Sequence, residues 1–272
     1  MWSFSERSRA NGKSIAFVPT MGYLHAGHLS LVEAARRKAD IIVVSIYVNP
    51  TQFGPKEDLK RYPKDLRRDQ KLLKDLDVDM LFLPRTKDMY PDGFDSYIEV
   101  KGLSQKLCGA SRPAHFRGVA TIVAKLLNIV APDYAFFGEK DFQQLVIIKK
   151  MVKDLDLPVK VISGPTVREF DGLAMSSRNK YLSAEQRKSA TILYRALSLA
   201  KQEIANGARD PKKIIRQMRS AIKKEPVTKL DYLAVVDPET LDHIQRIRGK
   251  ALIALAAYIG KARLIDNLLI EV

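Results

Sequence analysis

A chain of 272 residues with 46 Lys plus Arg, 31 Asp plus Glu, one Cys and 13 Pro fits one large domain or two unequal ones, at roughly 150 residues per domain. That length buries a core without disulfide or metal staples, and the single Cys108 excludes both a disulfide framework and a cysteine-based zinc site. No apolar run nears the roughly 20 residues that span a bilayer, and Ile15 to Met21 is too short for a secretory h-region and is broken by Pro19, so a cytoplasmic protein is expected. The net charge of +15 allows nucleic acid, an anionic membrane surface or small acidic substrates as partners. The cations are scattered, as in Arg36-Arg37-Lys38, Arg67-Arg68, Lys149-Lys150 and Lys223-Lys224, among acidic and apolar residues at helical spacing. That pattern marks solvated helix faces, so neither a nucleic acid nor a membrane partner is expected.

In chain order, Ser14 to Pro19 is a compact apolar run, and His28 to Ala39 follows with Leu31, Val32, Ala35 and Ala39 on one helical face. Ile41 to Val48 is an almost unbroken apolar strand, of the kind buried on both faces in a parallel sheet. A charged helix over 64–75, a strand at 80–83 closed by Pro84 and an apolar helix over 118–130 come next. A strand at 134–137, a helix over 142–155 and a strand at 159–163 complete the series. Strand–helix alternation at this spacing predicts an α/β fold, a Rossmann-like doubly wound parallel sheet wrapped by helices. After Gly164-Pro165 the pattern changes. Ser183-Ala-Glu-Gln186 reads as a capping box opening a long helix that ends near Asn206-Gly207. Pro211 to Lys224 predicts a second helix, and Leu230 to Val236, Ala251 to Ile259 and Ala262 to Ile270 predict strands, the last two joined by a Gly260-Lys261 turn. The expected division is 1–165, a Rossmann-like domain, and 166–272, a smaller α+β domain.

Chemistry concentrates first in Pro19-Thr-Met-Gly-Tyr-Leu-His25-Ala-Gly-His28, between the first strand and the first helix. Gly27 lets backbone approach a ligand, and a helix N-terminus offers unpaired N–H groups with partial positive charge. Imidazoles placed there hydrogen-bond phosphate oxygens and stabilise charge growing at an α-phosphate during adenylyl transfer. The plainer alternative is a turn with two incidental surface histidines. Half of the chain's four His falling in this one crossing, with two Gly, favours phosphate. Zinc lacks a cysteine, a third His or a His-Glu-x-x-His pattern here. Met175-Ser-Ser-Arg178 adds adjacent hydroxyls and a permanently charged fork suited to pyrophosphate. Alone it is a common loop sequence; joined to His-x-Gly-His it matches the signature of the nucleotidyltransferase superfamily that includes class I aminoacyl-tRNA synthetases. Gly138-Glu-Lys-Asp-Phe-Gln-Gln144 follows a strand, and strand carboxyl ends form the ligand crevice of a doubly wound sheet. Lys140 offers charge for phosphate, Asp141 an acceptor for a ribose hydroxyl, and Gln144 an inward-facing amide. An ordinary charged helix start capped by Asp141 is the alternative. Asn49-Pro-Thr-Gln52-Phe ends the buried strand and brings Asn49 and Gln52 to the same crevice, with turn chemistry as the competing reading.

Along nearly its whole length the sequence resembles the pantoate–β-alanine ligase (pantothenate synthetase) family. The matching stretches, in order, are Val18-Pro-Thr-Met-Gly-Tyr-Leu-His-Ala-Gly-His28, Val44-Ser-Ile-Tyr-Val-Asn-Pro-Thr-Gln-Phe53, Ser111-Arg-Pro-Ala-His-Phe-Arg-Gly118, Phe137-Gly-Glu-Lys-Asp-Phe-Gln-Gln144, Asp171-Gly-Leu-Ala-Met-Ser-Ser-Arg-Asn179 and Arg263-Leu-Ile-Asp-Asn267. The resemblance implies a two-step reaction. ATP and (R)-pantoate, with Mg²⁺, give an enzyme-bound pantoyl adenylate and pyrophosphate; the β-alanine amine then attacks the acyl carbon, releasing AMP and pantothenate. It implies that Met21, Gly22, Tyr23, Leu24, His25, Ala26, Gly27 and His28 form the ATP-binding loop, with His28 catalytic. Gln52 and Gln144 would hold pantoate, with Gln52 also near β-alanine. Gly138, Glu139, Lys140, Asp141, Val167 through its backbone, Met175, Ser176, Ser177 and Arg178 would bind ATP, and Asp69 matches a position associated with Mg²⁺. A homodimer is implied as well.

Physical chemistry fits these roles. An acyl adenylate hydrolyses readily, so a loop such as Met175 to Arg178, on a lid-like second domain, would exclude water. The positive balance attracts ATP and pantoate, both anions. The family carries an N-terminal strand and most of a helix ahead of position 1, and Met1 to Arg9 resembles that helix's tail. Either the start lies too far downstream or an edge strand is missing, with stability affected more than activity. Two rivals stand against this reading. Another His-x-Gly-His enzyme, transferring a cytidylyl or adenylyl group that stays on its product, is opposed by Gln52, Gln144 and the full motif order. An RNA-binding module is opposed by the lack of an RNP-type aromatic motif.

Overall fold

The structure, a computed structural model, describes residues 1–55, 57–225 and 227–272. The chain divides into two compact units: Met1–Ser104, Arg112–Glu139 and Gln144–Pro165 make the first, and Gln105–Ser111, Lys140–Gln143 and Thr166–Val272 the second. Two short segments that precede residue 165 therefore group with the later part of the chain.

In the first unit, β1 (Ile15–Thr20), β2 (Ile41–Ile46), β3 (Met80–Phe82), β4 (Tyr134–Gly138) and β5 (Lys160–Gly164) form one parallel sheet in the order β3-β2-β1-β4-β5. This is the Rossmann-like, doubly wound arrangement that the strand–helix alternation predicts. Strand order reverses between β1 and β4, the point where such sheets open a crevice beyond the strand carboxyl ends. Helices α1 (Trp2–Ala10), α2 (Ala26–Arg36), α3 (Leu66–Lys74), α4 (Thr86–Met89), α5 (Cys108–Ser111), α6 (His115–Val130) and α7 (Phe142–Asp154) lie along the same stretch of chain, with α5 and the start of α7 in the second unit. Ile15, Ala16, Phe17 and Val18 are all at 0 % exposure, so β1 is covered on both faces. Alternation sends Ala16 and Val18 into a cluster with Val32 and Ala35 of α2, Ile42 and Val44 of β2 and Leu73 of α3. Ile15 and Phe17 point to the opposite layer, where α1 and α6 meet β1.

One close approach places a site residue. At Gly118 of α6, a Cβ would lie 2.4 Å from the Thr51 carbonyl oxygen and 2.8 Å from the Gln52 nitrogen. Only a residue without a side chain lets α6 touch the single helical turn Pro50–Gln52.

In the second unit, β6 (Thr228–Val236), β7 (Lys250–Ile259) and β8 (Ala262–Glu271) form an antiparallel sheet in that order. α8 (Ala184–Ala190), α9 (Ile192–Ala205) and α10 (Pro211–Lys223) supply the rest, with Leu193, Leu197, Ile214 and Met218 packed against Val235, Ile253 and Leu255. The capping box forms: Ser183 Oγ accepts the Gln186 N–H and the Gln186 side chain accepts the Ser183 N–H. The single long helix expected to follow is two helices. Thr191 breaks it, since its hydroxyl donates to the Lys188 carbonyl at 2.7 Å and its own N–H bonds three residues back rather than four. Among the described residues, no helix is long and apolar enough to cross a membrane.

Gly118→Ala is expected to lower the unfolding free energy by about 1–3 kcal/mol, the scale of overpacking. Thermal melting checks this, at roughly 2–4 °C per kcal/mol for a chain of this size. An unchanged melt would mean that α6 and the turn separate freely.

Candidate active site

The loop between β1 and α2 is organised by a residue far from it in sequence. Asp69, in the first turn of α3, is 1 % exposed. Its Oδ2 accepts the Tyr23 N–H at 2.7 Å and its Oδ1 the Leu24 N–H at 2.8 Å. Two successive amides reach one carboxylate because the chain turns through left-handed φ values of +83° at Gly22 and +51° at Tyr23. A Cβ on Gly22 would press 2.9 Å from Ile46 Cγ2 and 3.2 Å from Asp69 Oδ2, so glycine is required by space as well as by φ. Both carboxylate oxygens are thus engaged by backbone, one N–H each, with lone pairs left over, so holding the loop is compatible with the expected magnesium role. No group of three His, Cys, Asp or Glu among the described residues could hold a metal ion. Asp69 is the anchor of the loop.

That anchor delivers the two histidines. His25 is the N-cap of α2 and its Nδ1 accepts the Gly27 N–H at 3.2 Å; His28, three residues on, accepts the His25 N–H on its own Nδ1 at 3.3 Å. The rings sit 4.0 Å apart. In a neutral imidazole one nitrogen accepts and the other carries the proton. Backbone donors at both Nδ1 atoms therefore assign the proton to Nε2 in each ring, on hydrogen-bond geometry. Both rings thus lie at a helix N-terminus, the kind of place whose backbone N–H groups favour an anion.

Met21, at the start of the same loop, touches Gln52, whose Nε2 lies against Met21 Sδ. Gln52 is held from every side. Asn49, 1 % exposed, donates to Gln52 Oε1 at 3.3 Å and to the Gly118 carbonyl at 3.0 Å, and its Oδ1 accepts from the Tyr90 hydroxyl at 2.9 Å. Burial raises the Tyr90 phenol above its ordinary value, so it stays a donor at neutral pH. The Gln52 carbonyl accepts from His115 Nδ1 at 2.7 Å and from Arg112 Nη2 at 3.2 Å. His115 therefore carries its proton on Nδ1 and accepts from Arg112 Nη1 at 2.9 Å on Nε2. Glu57 grips the Arg112 guanidinium with both oxygens, at 2.7 and 2.6 Å. Burial pushes the Glu57 carboxyl up, and the hydrogen bonds and charge of Arg112 outweigh it, leaving Glu57 below the usual carboxylate range. The clamp holds above that range and loosens as pH falls through the lowered value. Sequence reasoning marked Asn49 and Gln52 but gave no role to Glu57, Arg112, His115 or Tyr90; the signal was the Ser111–Gly118 stretch. Gly138 ends β4, next to β1 in the sheet, Glu139 opens the helical turn that follows, and Gln144 lies partly buried in α7.

The remaining residues belong to the second unit. The Lys140 carbonyl accepts from Asn267 Nδ2 at 2.8 Å, and Lys140 Nζ lies 3.7 Å from Asp141. The Val167 carbonyl accepts the Met175 N–H at 3.0 Å, closing a hairpin whose strands bridge at Arg168 and Ala174. Asn179 and Arg187 brace it by bonding Glu169, and Arg187 also grips Asp171, which it holds below the usual carboxylate range. Ser176 caps the turn Ser177–Tyr181 by accepting the Arg178 N–H, and Ser177 is buried. Ser176 therefore serves the loop's own shape.

Asp69→Asn is expected to speed hydrogen exchange at the Tyr23 and Leu24 amides and to lower stability by about 1–3 kcal/mol, because one amide then meets a donor. Exchange rates unchanged at both amides would remove Asp69 as the anchor.

The pantoate-beta-alanine ligase family model matches residues 1–269. A pantothenate synthetase of Caldicellulosiruptor bescii is 55 % identical over 271 residues, covering 100 % of this chain and 96 % of that one. The crystal structure of pantothenate synthetase from Thermus thermophilus superposes with a TM-score of 0.93 at 49 % identity, covering 97 % of this chain and 96 % of that one. The pantoate-beta-alanine ligase of Francisella tularensis, solved with beta-gamma ATP and beta-alanine, gives a TM-score of 0.79 at 40 % identity over 98 % of this chain and 94 % of that one. With the Rossmann-like sheet and the capped histidine pair in place, this chain belongs to the pantoate–β-alanine ligase family.

Proposed function

We propose that the chain joins (R)-pantoate to β-alanine through an enzyme-bound pantoyl adenylate, giving pantothenate, AMP and pyrophosphate. Family membership supports the ligation, and the Francisella relative's complex supports ATP and β-alanine as substrates. The observation that supports the adenylate step is the histidine pair, with both rings fixed through Nδ1 at the start of α2 on the loop whose Met21 touches Gln52.

In the first step a pantoate carboxylate oxygen attacks the α-phosphorus, the bond to the β-phosphate oxygen breaks, and pyrophosphate leaves. Charge builds on the α-phosphate oxygens as it does so. His28 Nε2–H donates to that charge, and His25 supports the same region. Because both rings are locked by backbone caps, the donors need no reorganisation when charge appears. Gln52 and Gln144 orient pantoate with neutral amides, leaving the cations to the phosphates. Asn49, Arg112 and His115 keep Gln52 in register. In the second step the β-alanine nitrogen attacks the acyl carbon, the bond to the AMP oxygen breaks, and the amine loses a proton.

The second unit is assigned the other nucleotide contacts, Lys140, Asp141, the Val167 backbone and Met175 to Arg178, and the shielding of the adenylate from water. The first unit, extending to residue 165, is assigned the histidine loop and pantoate. Magnesium is assigned to the ATP it accompanies, with Asp69 as the protein group that would face it, since this ion is usually held by substrate phosphates and few protein groups, and no step here runs through it. A homodimer in the cytoplasm, without nucleic acid or membrane partners, completes the reading.

Two outcomes test it. Exchange of labelled pyrophosphate into ATP is expected to require pantoate and to proceed without β-alanine; exchange that waits for β-alanine would refute a separate adenylate. His28→Ala is expected to slow single-turnover adenylation by about 10²–10³, the scale of one preorganised donor, with ATP affinity changed far less. Lost ATP affinity with an intact saturated rate would make His28 a phosphate anchor only.

A further inference from the structure

The stretch Arg263 to Asn267 in β8 has no part in the steps above, yet it holds two of the least exposed polar side chains in the second unit: Asp266 at 2 % and Asn267 at 9 %. Adjacent residues of a strand project to opposite faces, so the two side chains reach different neighbours. Asp266 forms two hydrogen bonds with Arg168, Oδ2 to Nη1 at 2.6 Å and Oδ1 to Nη2 at 3.0 Å. Arg168 Nη1 also donates to the Gly172 carbonyl at 3.0 Å, so the guanidinium ties the first strand and the turn of the 167–175 hairpin to β8. Asn267 Nδ2 donates to the Lys140 carbonyl at 2.8 Å. The Asn267 N–H returns to Asp266 Oδ1 at 2.8 Å, which links the two grips through one peptide. Arg263, on the same strand, is fixed by Asp231 at 2.7 Å and holds no part of either segment.

The plain alternative is that these are buried polar groups satisfying one another, as any interior strand requires. Their choice of partners goes beyond that. Lys140 and Arg168 are far apart in sequence, and the two segments carrying them are the two assigned to the nucleotide in this unit. A rigid, paired strand gripping both sets the spacing between the Lys140 side chain and the Met175 to Arg178 donors. Spacing is what recognition of a polyphosphate by several donors depends on.

We propose that Asp266 and Asn267 are positioning residues for the nucleotide, registering the Lys140 segment and the 167–178 segment on β8 so that their donors meet the phosphates together. The proposal rests on the assignment of those two segments to ATP.

The test uses the full chain and steady-state kinetics with each substrate varied in turn. Asn267→Asp keeps the shape and removes the donor to Lys140; Asp266→Asn removes the charge facing Arg168. Each is expected to raise KM for ATP by about tenfold, the factor for one hydrogen bond of ordinary strength, with KM for pantoate unchanged. A general structural role would instead raise both KM values together, or leave a folded variant with an unchanged KM for ATP, and either result overturns the proposal. Arg168→Lys, changing the less buried partner while keeping its charge, gives the same readout if the β8 variants fail to fold; a wild-type KM for ATP in that variant also overturns it. Lys140→Ala separates the two levels. If it leaves KM for ATP unchanged, the nucleotide assignment falls and the proposal with it. If it raises KM for ATP while Asn267→Asp and Arg168→Lys do not, only the proposal falls.

Discussion

A carboxylate that solvent does not reach must find donors inside the protein, and Asp69 finds them in the backbone of the loop that begins the site. Burying an uncompensated charge is among the most unfavourable events in folding. Every loop conformation that leaves Asp69 unpaired is therefore excluded, and the one that pairs it turns Gly22 and Tyr23 into left-handed geometry. That geometry commits His25 to the N-cap and His28 to the first turn of α2. The position of the histidines thus follows from an acid on a different helix rather than from the local sequence.

Helices ordinarily begin with Ser, Thr, Asp or Asn, with Glu or Gln three residues later. Here imidazoles fill both places. The substitution has a chemical consequence. A carboxylate in the first turn would repel an approaching phosphate, and a serine cap would have no second donor to offer. An imidazole caps through Nδ1 and still presents Nε2–H on its far side. The same ring cannot serve both purposes as an imidazolium, because a proton on Nδ1 would face a backbone N–H. Structure and chemistry together therefore require the neutral ring with a defined tautomer.

The five-stranded sheet was legible because β1 and β2 are short apolar runs with no polar break, and the histidine loop because its signal lies within ten residues. What escaped was long-range. Asp69 sits in a charged stretch that reads as a solvated helix, and its partner Tyr23 is 46 residues away. Glu57 and Arg112 are separated by 55 residues, and Asn267 and Lys140 by 127. Each is an ordinary surface-type residue until the fold brings it to its partner. The break at Thr191 escaped for a local reason. Ser183 and Gln186 announce a helix start, whereas a threonine hydroxyl that captures the carbonyl three residues back looks, in sequence, like any other helical threonine.

The two units immobilise their loops with buried aspartates in different ways, and the difference matches what each loop must do. Asp69 takes backbone amides directly, with no second side chain in between. Donors that meet charge developing at the α-phosphate gain most from such rigidity, since any reorganisation adds to the barrier. Asp266 acts through the Arg168 side chain, which is 22 % exposed and has several torsions of its own. Removing one partner of a buried ion pair costs about 3–5 kcal/mol, so that hairpin is held firmly. The guanidinium grips the turn of that hairpin at Gly172, and the segment from Met175 to Arg178 lies beyond the grip. A segment assigned to the nucleotide has to admit ATP and release pyrophosphate, and a grip on the hairpin that precedes it, rather than on the segment itself, suits that task.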